Sequence, residues 1–76
     1  MNKKDRKVIS GWIDKLEEIK SEIEDMQTEE ECKFDNLPEG IQESERGERM
    51  IESIEYLGDS VSSIEEAIDS LNEAKV

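Results

Sequence analysis

The chain has 76 residues, 22 of them Asp or Glu against 10 Lys or Arg, which leaves a formal net charge of −12. No run approaches the roughly 20 consecutive apolar residues of a membrane span, and so negative a chain is a poor direct ligand for nucleic acid, whose binding relies on cations displacing counterions. There is no His, so the commonest general base and metal ligand is missing.

The charge is unevenly placed. Residues 1–7 hold four cations, Lys3, Lys4, Arg6 and Lys7, against Asp5, or +3, and residues 8–76 hold six cations against 21 acids, or −15. The basic start leads into an amphipathic stretch and not into the apolar core of a signal peptide. With a single cysteine, Cys32, and so no internal disulfide, the expected location is the reducing cytoplasm.

Low hydrophobicity with high net charge is the signature of disorder, but periodicity argues otherwise. With Ile9 as heptad position a, the a and d positions are Ile9, Trp12, Leu16, Ile19, Ile23 and Met26, and Val8 and Ile13 widen the stripe. The pattern fails at Glu30. Spacings of three and four predict a first helix over about 2–33. Its outer positions carry eight acids between 17 and 31 (Glu17, Glu18, Glu22, Glu24, Asp25, Glu29, Glu30, Glu31) against Lys20 alone.

A turn follows over about 35–43. Pro38 drives Leu37 out of helical geometry, and Gly40 relaxes the backbone two residues on. Phe34, Leu37 and Ile41 are expected to fold over the end of the helices as an apolar plug. Ser44 is positioned to cap a second helix over about 45–73, with Met50, Ile54, Leu57, Val61, Ile64, Ile68 and Leu71 at alternating spacings of four and three. Gly11, Gly47 and Gly58 fall in helical stretches at about 1 kcal/mol each relative to Ala, and fraying or a mild bend is the expected consequence. No polar residue interrupts either a/d run, so orientation is assigned to the loop and to outer charges.

These elements give an all-α fold, a single antiparallel helical-hairpin domain spanning 1–76. Two helices alone leave half of each stripe wet. A homodimer of hairpins closing into a four-helix bundle would bury both, with the thirteen a/d residues named above as its core and dimer interface. A domain-swapped dimer is the weaker variant, because Pro38 and Gly40 form turn chemistry.

The residues offer little for catalysis. Ser–His and Cys–His pairs cannot be assembled without His, phosphate-loop and dinucleotide fingerprints are missing, and Asp35, Asn36 and Asp59 lack calcium-loop spacing. Neighbouring acids disfavour a reactive Cys32 thiolate. The chain is therefore expected to be no enzyme and to use no metal or cofactor. The eight acids of the first helix are the candidate partner-binding set. Acids three or four apart on a helix stand about 5–6 Å from one another, broadly like charges along a phosphate backbone. They serve either as a solvated face that keeps a small bundle soluble or as a mimic of nucleic acid toward a basic protein groove.

The segment Phe34-Asp35-Asn36-Leu37-Pro38-Glu39-Gly40-Ile41-Gln42-Glu43-Ser44-Glu45-Arg46-Gly47-Glu48-Arg49-Met50 resembles the turn of small acidic helical-hairpin accessory proteins encoded by phages and prophages of Gram-positive bacteria. Repeats such as Ile51-Glu52-Ser53-Ile54-Glu55 and Ile64-Glu65-Glu66-Ala67-Ile68 resemble their second helix, whereas Ser53, Ser60, Ser62, Ser63 and Ser70 depart from it. The resemblance implies a phage accessory protein, a group that includes inhibitors of bacterial defence. The leading expectation is thus a non-enzymatic, dimeric, anti-defence inhibitor that binds a host protein with a basic surface. The alternatives are a structural or assembly protein of a phage particle and an antitoxin-like neutraliser of a basic partner.

Overall fold

The computed structural model describes residues 1–76 and is helical almost throughout: α1 (Lys3–Asp35), α2 (Glu39–Gln42) and α3 (Glu45–Ala74). The helix α1 starts where Asn2 turns extended and its side-chain oxygen accepts the Asp5 N–H at 2.8 Å, which satisfies one of the orphan donors of the first turn. At its other end Lys33 sits in the last turn, where a cation favours the helix dipole. As expected, Ser44 caps α3, its Oγ accepting from the Gly47 N–H at 3.5 Å and donating to the Ile41 carbonyl.

The connection is more structured than its turn residues predict. Pro38 is the N-cap of α2, a single helical turn, and the Gln42 side chain donates to the Phe34 carbonyl at 2.9 Å. Pro suits a helix start because its missing N–H would be unpaired there anyway. Phe34, Leu37 and Ile41 are half-buried at this end, in keeping with the expected plug.

The two long helices run antiparallel, and the molecule measures 58 × 15 × 11 Å. The seam of α3 is the expected one: Met50, Ile54, Leu57, Val61, Ile64, Ile68 and Leu71 all turn toward α1 and are at least half-buried. That of α1 is Ile9, Ile13, Leu16, Lys20, Ile23, Gln27, Glu30 and Phe34. Spacing alternates between four and three, but Ile13, Lys20 and Gln27 replace Trp12, Ile19 and Met26. Polar residues therefore do interrupt the packed stripe, contrary to expectation. They are tolerated because each has a partner: across the seam Gln27 donates to the Ile54 carbonyl at 3.2 Å and Lys20 reaches Glu65 at 3.7 Å, and Glu30 pairs with Lys33 of its own helix at 3.1 Å.

The glycines also differ from one another. Gly47 is buried, and a Cβ there would stand 2.6 Å from the Gln42 carbonyl carbon and 2.7 Å from the Ile41 oxygen. It lets α3 start directly against α2. A Cβ at Gly58 would meet the Gln27 amide at 2.9 Å, whereas Gly11 faces open space. Close approach, not fraying, accounts for the first two.

Candidate interaction surfaces

Because the molecule is one helix layer thick, every side chain outside the seam belongs to an edge or to one of two broad sides. At 100° per residue, the positions flanking the seam of α1 are Trp12, Ile19, Met26 and Lys33 on one side and Ser10, Glu17, Glu24 and Glu31 on the other. In an antiparallel pair the matching flanks of α3 are Ser53, Ser60, Ala67 and Ala74 on the Trp12 side, and Ile51, Gly58, Glu65 and Asn72 on the Glu17 side. The contacts agree with this partition. Trp12, Lys15, Leu16 and Leu71 line an apolar groove of about 360 Å³ on the first side. On the second, Lys20 bridges Glu17 at 3.5 Å and Glu65 at 3.7 Å, and Lys75 Nζ reaches Ser10 Oγ at 3.3 Å.

The two sides have opposite chemistry. The first carries Trp12, Ile19 and Met26, which are 50%, 45% and 55% exposed; it carries small Ser and Ala on α3, with Glu22 and Glu29 only at its rim. The second is acid-rich: Glu17, Glu24 and Glu31 from α1 stand beside Glu65, with Glu48, Glu55 and Asp69 farther out. The eight acids singled out in the first helix therefore do not form one line. Glu17, Glu24 and Glu31 share the acid-rich side; Glu18 and Asp25 lie on the outer edge; Glu22 and Glu29 border the apolar side; and Glu30 is half-buried in the seam, ion-paired with Lys33 at 3.1 Å.

Of the thirteen expected core and interface residues, ten meet in the seam, and Trp12, Ile19 and Met26 stand together outside it. The seam residues that apolar spacing missed are Glu30, where the heptad pattern stops, and the pair Lys20 and Gln27. Their only signal is position, seven residues apart between Ile13 and Phe34. Only Ile9, Gly47 and Ile68 are buried. Among the carboxylates and Cys32 no three converge on one point that could hold a metal ion, and no helix is long and apolar enough to cross a membrane.

The neighbours of Lys20 move its titration. Partial burial works to lower its pKa, but the charges of Glu17, Glu65 and Glu24 and the hydrogen bond to Glu17 outweigh it and hold Lys20 above its ordinary value. A raised folded-state pKa means that the protonated lysine stabilises the fold below its unfolded value of about 10.4, and that this contribution is lost as pH climbs through the folded value. The melting temperature is expected to fall above about pH 10.4, and to fall less in Lys20→Met. Parallel thermal scans of both proteins from neutral pH upward measure the difference; identical pH slopes would contradict it.

Comparison of the chain with protein-family models, with functionally characterised proteins and with solved structures finds no match.

Proposed function

We propose that the chain is a non-enzymatic interaction protein: an acidic helical hairpin that dimerises through its apolar side into a four-helix bundle. Its acid-rich side then occupies a basic surface on a host protein, in competition with nucleic acid, and inhibits that protein in the host cytosol. The observation that carries this reading is the sorting of charge, with apolar and small residues on one broad side and carboxylates on the other. The net −15 of residues 8–76 is spread over roughly 45 Å of helix, about one charge per 3 Å, near the 3.4 Å spacing of phosphates along a strand.

Area supports the dimer. A folded monomer of 8.8 kDa exposes about 4,800 Å² by the usual scaling of surface with mass, whereas this chain exposes 5746 Å². The excess of roughly 950 Å² is close to the ~800 Å² that each partner buries in a standard interface. The phage and anti-defence part of the proposal rests on the turn resemblance. An assembly role in a phage particle is the second reading, favoured by the same apolar side if it joins more than two copies.

The test is affinity capture from a bacterial lysate, elution by salt, and assay of the eluted protein for nucleic-acid binding. The expected result is that the hairpin displaces nucleic acid, and that joint Glu24→Lys, Glu31→Lys and Glu55→Lys substitution on the acid-rich side weakens binding at least about tenfold, as loss of steering and complementary charge requires. Equal binding by the reversed variant would overturn it.

A further inference from the structure

The apolar side is uneven across its width. Its α1 half carries the bulky Trp12, Ile19 and Met26, and its α3 half carries the small Ser60, Ala67 and Ala74, all exposed and both rows spaced by seven. The two rows also run level with one another. Lys20 reaches Glu65, a Cβ on Gly58 would meet the Gln27 amide, and Lys75 reaches Ser10. These contacts set Trp12 level with Ala74, Ile19 with Ala67 and Met26 with Ser60, to within one residue or about 1.5 Å of rise. We propose that a second copy of the chain covers this side with the two-fold axis parallel to the helices. Each α1 then lies antiparallel on the α3 of the other copy, its bulky row fitted to the small one. This rests on the dimeric reading above and adds which helix meets which, and at what level.

Two like faces laid together with their helices aligned are related by an axis in the plane between them, which runs either across the helices or along them. Across them, α1 meets α1 and α3 meets α3. Bulky then stands on bulky and small on small. Helices separate by about 8–10 Å according to the side chains between them, so the α1 pair would hold the faces apart where the α3 pair needs them close. The gap forfeits dispersion contacts along a whole helix. Along the helices, every residue keeps its level, and the alignment inside one hairpin becomes the alignment between the two. Trp12 meets Ala74 of the other copy, Ile19 meets Ala67 and Met26 meets Ser60, a large side chain over a small one each time. Covering Ser60 costs little, because its hydroxyl already donates to the Tyr56 carbonyl at 2.9 Å. One position farther out, Lys15, Glu22 and Glu29 come level with Ser70, Ser63 and Tyr56 of the other copy, so these charges meet hydroxyls and not like charges.

The arrangement is tested by disulfide formation under a mild oxidant in a Cys32→Ser background, with sedimentation run on the same samples before oxidation. A mixture of Ile19→Cys and Ala67→Cys chains is expected to give the mixed covalent dimer as its main product, the facing Cα atoms lying within disulfide reach of about 4.4–6.8 Å. Ile19→Cys alone is expected to give little, as is its mixture with Ser53→Cys, about 21 Å farther along α3. Coupling of Ile19→Cys to itself in place of the mixed product overturns the arrangement in favour of α1 on α1, and equal coupling to Ser53→Cys overturns the level. If sedimentation shows a dimer but Ile19→Cys and Ala67→Cys do not couple, the arrangement is wrong and the dimer stands. If it shows only monomer at 100-fold the working concentration, the dimeric reading itself fails.

Exchange of size provides a second readout without cysteines. Ile19→Ala and Ala67→Ile are each expected to weaken the dimer about tenfold, the first by leaving a void and the second by overfilling. Both residues lie outside the seam, so the hairpin itself is left intact. Together the two substitutions are expected to restore the dimer to within about threefold of the parent, because the large and small partners are exchanged and not lost. Losses that simply add in the double variant would overturn the pairing.

Discussion

Ile19→Asp is expected to turn the protein into a monomer that sediments at 8.8 kDa under conditions where the unsubstituted chain is a dimer. In the single hairpin Ile19 is 45% exposed, so a carboxylate there finds water and leaves the seam untouched. In the dimer proposed above it lies in the middle of the apolar side, where the change removes buried apolar area and buries a carboxylate in each copy. Loss of buried side chains at about 1.5–3 kcal/mol each, together with an unpaired buried charge at several kcal/mol, gives at least ~4 kcal/mol, or roughly 1000-fold in dissociation constant. Because association and folding are linked, thermal stability should fall as well and lose its dependence on protein concentration. Ile51→Asp is the control, since Ile51 is comparably exposed at 39% but lies on the acid-rich side. Unchanged sedimentation of Ile19→Asp, or equal disruption by Ile51→Asp, would show that the stripe is not the interface.

The second large effect is a pair of opposite signs at two glycines. Gly47→Ala is expected to destabilise the fold by ~2 kcal/mol, because the new methyl meets the backbone of Ile41 and Gln42, which cannot turn aside as a side chain can. For a chain of this length that is a melting-point loss of about 8–16 °C. Gly11→Ala adds a methyl where nothing lies within 4 Å and gains up to ~1 kcal/mol of helix propensity, or about 4–8 °C upward. Thermal melts of the two variants with the parent decide the matter. Melting points that move in the same direction would mean that the tight junction between α2 and α3 does not form as described.

Much of the hairpin is legible in the sequence, and the two helices show why the rest is not. In α3 only one line of apolar residues exists, from Met50 to Leu71, so periodicity has a single solution and the seam follows from it. In α1 the line Ile9–Leu16–Ile23 has two possible companions. One is Trp12–Ile19–Met26, wholly apolar; the other is Ile13–Lys20–Gln27–Phe34, half polar. Apolar spacing selects the first, whereas the hairpin packs on the second, because Gln27 and Lys20 have specific partners in Ile54 and Glu65. A pattern of apolar positions has no means of scoring a polar residue whose partner lies on another element.

The turn behaves similarly. Pro38 and Gly40 identify a break, yet the helical turn Glu39–Gln42 that starts at Pro38 is tied back to the Phe34 carbonyl only once the fold brings it close, and the need for glycine at 47 is visible only once Gln42 is placed. The acids are a third case. Their number and spacing are plain in sequence, but which broad side each occupies depends on the seam, so correcting the seam divides the set of eight. Glu30 leaves the surface group altogether, and the acids of α3, left out of that set, join Glu17, Glu24 and Glu31.

The cross-links between the helices are nested. From the turn outward they are Gln42 with Phe34, 8 residues apart, Gln27 with Ile54, 27 apart, and Lys75 with Ser10, 65 apart. Loop closure becomes costlier only as the logarithm of length, about 0.6 kcal/mol per doubling, and each inner link shortens the free loop that the next must close. The chain can therefore assemble as a zipper from α2 toward its termini without a large search, which is the behaviour of topologies rich in nested local contacts. Unzipping runs the other way. Amide exchange in the long helices should slow steadily from Ser10 and Asn72 toward the turn-proximal ends near Phe34 and Gly47, so the end that melts first is the one that carries the cations of the first turn.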